Sequence, residues 1–89
     1  CERVLQHLDD PDSAVRELVR VTRRRGRVVL VDTDWESLVL DGLPDGLVDE
    51  AREAMLAKSG VHTRMGRTLR RRLVAAGLRD VEAHPVTIA

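Results

Sequence analysis

The stretch "GRVVLVDTDW", residues 26–35, sets Asp32 and Asp34 close together, directly before the chain's single tryptophan, Trp35. Two carboxylates at that spacing can act as an acid and base pair or help hold a metal ion. No third ligand stands nearby, and His62, His84 and Cys1 lack the spacing of a metal site, so metal is rejected. Trp35 is expected either to wall a substrate pocket or to fill core beneath the adjoining loop. Asp34 is the residue expected to orient a polar group of a substrate. Two arginine clusters, "TRRRGR" (22–27) and "RTLRRR" (67–72), offer contacts to phosphate or nucleic acid. A net charge of zero and the lack of Phe and Tyr argue against nucleic acid, since neither a field nor a stacking platform is there. The clusters therefore read first as solvated helix faces. The chain contains no G-x-S-x-G, P-loop or dinucleotide fingerprint.

Eighty-nine residues make at most one small domain with a thin core. Hydrophobic content of 43% against 34% charged residues fits a soluble globular piece and not a disordered one. With aromatic content of 1%, the core has to be built from Val, Leu and Ala. The lone cysteine excludes an internal disulfide and fits a reducing cytosol. No apolar run has membrane-spanning length and no signal segment opens the chain, so the expected setting is cytoplasmic, without a membrane.

The elements that must position these residues can be read from local signals. Residues 1–8 hold Val4, Leu5 and Leu8 at helical spacing and predict a turn or two. The run "DDPDSAVRELVRVTR" predicts a helix over 11–23, with Asp10 as N-cap, Pro11 at the first position and Asp12 complementing the dipole. Its inward stripe is Ala14, Val15, Leu18, Val19 and Thr22. Gly26 ends that segment. Val28–Val31 is then an unbroken aliphatic run, which predicts a strand over 27–33 with cover on both faces, as inside a parallel sheet. "ESLVLDGLPDG" is a loop, 45–58 a helix, "GVHTRMG" a loop and 67–76 a third helix, ended by the pair Gly77–Leu78. Residues 79–88 predict a strand that Pro85 confines to an edge. One interior parallel strand without parallel neighbours cannot satisfy its backbone. Its partners are expected from sequence outside these 89 residues, or from self-association of copies through exposed sheet edges.

In this order, "RVLQHLDDPDSAVRELVRVTRRRGRVVLVDTDW" and "LVAAGLRDVEAHPV" resemble the second half of class I S-adenosylmethionine-dependent methyltransferases, in the branch that includes ubiquinone and menaquinone biosynthesis enzymes. The resemblance spans nearly the whole chain. It implies an α/β fold, a partial Rossmann-like methyltransferase sheet. Cys1 would end the family's fourth strand, 27–33 would be its fifth and 79–88 its sixth. The N-terminal half, with the glycine-rich turn and the ribose-binding acid, would precede residue 1. In place of the family's Pro-Gly-Gly turn before the fifth strand, "RRRG" keeps only the last glycine.

The resemblance also implies site residues. Glu2 and Arg3 would lie beside the methionine half of the cofactor S-adenosylmethionine, Glu2 accepting from its amino group or steadying its sulfonium; the structural alternative is a solvated ion pair. His7 matches the histidine of the family's "LqH" block and would shape the site mouth or act as a base, against the alternative of a bond to backbone. The function expected is methyl transfer to a small-molecule acceptor by residues 1–89 as the C-terminal part of one methyltransferase domain, which alone binds cofactor poorly. The alternative is a non-enzymatic nucleic-acid-binding module using the arginine clusters.

Overall fold

Asp10 starts helix α1 (Pro11–Val21): its Oδ1 accepts from the Ser13 N–H at 3.1 Å, and Pro11 occupies the first position, where no N–H is needed. Val15 is buried on this helix, with Ala14 beside it. The computed structural model describes residues 1–57 and 60–88. Before α1, Leu5–His7 makes one 3-10 turn; Trp35–Ser37 makes another after the aliphatic run. Helix α2 (Asp45–Leu56) buries no residue, and the end of the expected helix at Lys58 lies outside the described residues.

Helix α3 (Met65–Ala75) begins two residues earlier than expected because Met65 is drawn into the core. It closes on a Schellman motif: Gly77 takes φ +92° and donates to Val74 O at 3.0 Å, while Leu78 donates to Leu73 O at 3.2 Å. Leu78 then packs on the core. That core is Leu5, Val15, Met65 and Leu73, with Leu8, Val28, Leu30, Leu69 and Val81 among the half-buried residues around it. No helix among the described residues is long and apolar enough to cross a membrane.

The expected α/β class, a partial Rossmann-like sheet, is corrected by the fold: the described residues form three α-helices and two 3-10 turns, with no strand. Residues 27–33 and 79–88 run as irregular backbone. The one trace of pairing is a single parallel bridge between Glu2 and Val31. A strand is defined by its neighbours, and among the described residues only 1–3 bond to the backbone of 28–31. The backbone N–H and C=O groups of Val28 and Leu30 find no hydrogen bond among the described residues. Cover on both faces is overturned as well. Val28 and Leu30 touch the core, but Val29 and Val31 stand 66% and 51% exposed. The C-terminal arm, expected as an edge strand, leaves Val86 and Ile88 in solvent. The radius of gyration of 15.6 Å exceeds the roughly 12 Å of a compact chain of this length. Much of the chain's apolar surface is therefore not gathered into one core.

Candidate functional site

Three short backbone links align the two segments that carry the expected site residues. Val31 N–H donates to Cys1 O at 2.8 Å, Arg3 N–H to Val31 O at 2.8 Å, and the Cys1 ammonium to Val29 O at 2.9 Å. Because the two segments run parallel, their C-terminal continuations emerge on the same side. The turn at 5–7 and the segment 32–37 therefore meet. Asp32 fastens them, with Oδ2 accepting from Gln6 N–H at 3.1 Å and Oδ1 from Thr33 N–H at 2.8 Å.

The loop before α3 closes over both. His62 N–H donates to Gln6 O at 2.7 Å, and His62 Nε2 lies 2.6 Å from Leu8 O. Trp35 N–H donates to Thr63 O at 2.8 Å, and Gly66 N–H to Thr33 O at 3.0 Å. Gly66 is where α3 comes closest: a Cβ there would lie 2.7 Å from Asp34 N and 2.8 Å from the Thr33 carbonyl carbon. Only a residue without a side chain permits that approach.

This stitching frames a cavity of about 280 Å³ lined by Gln6, His7, Trp35, Met55, Val61 and Thr63. Trp35 and His7, two of the residues singled out from sequence, share it. Trp35 is 37% exposed, and its Nε1–H donates to Gln6 Oε1 at 2.7 Å. Met55 brings α2 to the wall. A larger concavity of about 380 Å³ runs past Glu36, Arg64 and Arg72, but its charges are already matched: Glu36 with Arg64, Arg72 with Asp12.

The other expected residues stand apart from the smaller cavity. Asp34 accepts from Arg67 through both carboxylate oxygens, at 2.7 and 2.9 Å, and this pairing raises the Arg67 pKa. Glu2 and Arg3 pair with each other at 3.4 Å, both largely exposed, and line neither concavity. Of the second arginine cluster, Arg67 and Arg72 are engaged with Asp34 and Asp12. Among the described residues no group of three His, Cys, Asp or Glu side chains could hold a metal ion.

Sequence reasoning missed Gln6, Glu36 and Thr63. Glu36 Oε2 accepts from Arg64 Nε at 2.8 Å and Thr63 Oγ1 at 2.7 Å, and these bonds hold its pKa down from 4.5 to about 2. Its carbonyl accepts from Arg52 of α2. Glu36 thus joins α2, the 3-10 turn at 35–37 and the loop before α3. The available signal for Gln6 is its place in "VLQHL", where it and His7 are two polar residues set between apolar ones.

No protein-family model matches the chain, and no solved structure matches it. It is 38% identical over 90 residues to an uncharacterized 37.1 kDa protein in transposon TN4556 of Streptomyces fradiae. The match takes in 97% of this chain and 25% of that protein, so the chain spans about a quarter of its relative's length.

Proposed function

We propose that these residues belong to an S-adenosylmethionine-dependent methyltransferase and contribute part of the methyl-acceptor site. The observation that carries this reading is the convergence of His7 and Trp35 on one cavity, from segments 28 residues apart in the chain. The sequence reading gives Trp35 the wall of the substrate pocket and His7 the mouth of the site, and the two share no local signal. Methyl transfer from a sulfonium centre depends on alignment and on exclusion of water more than on a dedicated base. A partly enclosed cavity with an indole wall suits both needs.

The residues here do not themselves fit the cofactor. Glu2 and Arg3 are turned to each other in solvent and line neither of the two concavities described above. No step is therefore assigned to them. The acceptor wall is the contribution of this chain, and the cofactor cradle belongs to other sequence of the whole protein. The uncharacterized transposon protein, four times as long, leaves room for such sequence.

Calorimetry tests this. The polypeptide of the whole reading frame is expected to bind S-adenosylmethionine, and the 89 residues alone to give no measurable heat. Absence of binding by the longer protein overturns the reading. Binding by the 89 residues alone overturns the assignment of the cradle to other sequence.

A further inference from the structure

Gln6 is 3% exposed, yet half of its amide is unused. The indole N–H of Trp35 can only donate, so the group facing it at 2.7 Å has to be the Gln6 oxygen. This fixes the amide orientation and turns its –NH2 the other way. Among the described residues no protein acceptor takes either of those N–H groups, and Gln6 Nε2 is not among the atoms sealed from solvent without a partner. Gln6 lines the cavity of about 280 Å³, the concavity in which its free N–H donors would meet an acceptor. A donor that opens on a cavity and has no acceptor within the protein is free to bond an acceptor on a group bound there.

The remaining wall defines what that group is attached to. Trp35 offers a flat π face, Met55 a polarizable thioether and Val61 an aliphatic surface. Among the described residues no Asp, Glu, Lys or Arg lines it, and the nearby cations Arg52 and Arg64 donate to Glu36. Phosphates and carboxylates would find no permanently charged partner among these lining residues. The volume sits just below the roughly 300–1,000 Å³ of typical small-ligand sites, which limits the occupant to one or two rings.

We propose that this cavity binds a neutral one- or two-ring aromatic compound carrying a hydrogen-bond acceptor on its edge, the ring lying against Trp35 and Met55 and the acceptor taking a hydrogen from Gln6 Nε2. As a statement about the methyl acceptor it rests on the function proposed above; as a statement about binding it needs no cofactor.

The test compares quinoline with naphthalene, which share a shape and differ by one ring nitrogen. Trp35 supplies the chain's single indole N–H signal, so titration followed by ¹H–¹⁵N NMR reports on the cavity directly. Quinoline at neutral pH is expected to shift that signal and the Gln6 side-chain amide pair. It is expected to bind about five- to tenfold more tightly than naphthalene, the worth of one neutral hydrogen bond. Gln6→Met removes the donor at similar size and is expected to bring the two probes level. Should Gln6→Met fail to fold, Met55→Ala on the exposed helix serves instead: it should weaken both probes while preserving their ratio. Equal affinity of the two probes for the unmodified chain overturns the proposal, as do shifts that bypass Trp35 and Gln6, or no binding by either. Each of those results leaves the cofactor calorimetry unaffected, so the ligand chemistry and the methyl-transfer reading fail separately.

Discussion

Met65 at the start of α3 and Met55 near the end of α2 carry the same side chain into opposite surroundings. Met65 is 1% exposed, packed with Leu5, Val15 and Leu73; Met55 is 47% exposed, with solvent on one side and the cavity on the other. Around the first, α1 and α3 are closed by an Asp cap, a Schellman motif and a shared core. Around the second, α2 has no side-chain cap at Pro44, no buried residue, and a tie to the rest through Arg52 and the Glu36 carbonyl. The difference is one of cover: the α1–α3 region buries its own stripe, and α2 presents Met55 to a cavity.

Truncating each methionine should separate the two regions most widely. Met65→Ala is expected to cost about 2–5 kcal/mol, lost burial plus the cavity left behind. For a chain this small that approaches its whole stability. Met55→Ala is expected to cost about 0.5 kcal/mol or less, as at other surface positions. Urea unfolding followed by circular dichroism measures both. Similar losses at the two sites would mean that α2 is packed as firmly as α3.

Two glycines sharpen the contrast, because the same substitution should change sign. Gly66→Ala drives a Cβ to 2.7–2.9 Å from the backbone of residues 32–34, with no flexible side chain to yield. The expected cost is about 1–3 kcal/mol, and the Trp35 environment should change because the 32–35 backbone has to move. Gly46 in α2 meets nothing within 4 Å. Gly46→Ala is expected to stabilise by up to about 1 kcal/mol through helix propensity and a less disordered unfolded chain. Thermal melts of the pair decide it; a destabilised Gly46→Ala would show that α2 has a close neighbour.

The parts of this fold legible in sequence are those whose cause is local. Asp10–Pro11 and Gly77–Leu78 each settle a helix end within a few residues, by a cap bond or a left-handed turn. The aliphatic run at 28–31 misled for the opposite reason. Its pattern records a preference for neighbours on both sides, but a strand forms only when backbone arrives from elsewhere, and among the described residues 1–3 alone arrive. The candidate site divides the same way. Trp35 stood out as the single large aromatic, whereas Gln6 matters through a contact with a residue 29 positions away. Asp32 and Asp34 were visible as a pair, yet one braces the Gln6 and Thr33 amides and the other Arg67, partners that only the folded chain supplies.

Glu36 marks the seam between the two regions, and its acid response gives the smallest of these effects. Its carboxylate holds Thr63 and Arg64 while its carbonyl holds Arg52 of α2. Because pairing lowers its pKa from 4.5 to about 2, the folded state prefers the ionised form more than the unfolded state does. The resulting stability is fully present above about pH 4.5 and drains as pH falls toward about 2. Glu36→Gln should therefore unfold at lower urea than the unmodified chain near neutral pH, by a small margin that high salt reduces, and the margin should close on acidification through that window. Amide exchange should quicken first in residues 60–64, with α1 and α3 keeping their protection, since their core does not pass through this carboxylate. A margin that ignores pH would reassign Glu36 from an ionic tie to a neutral hydrogen-bonding one, and loss of protection in α1 would erase the boundary between the two regions.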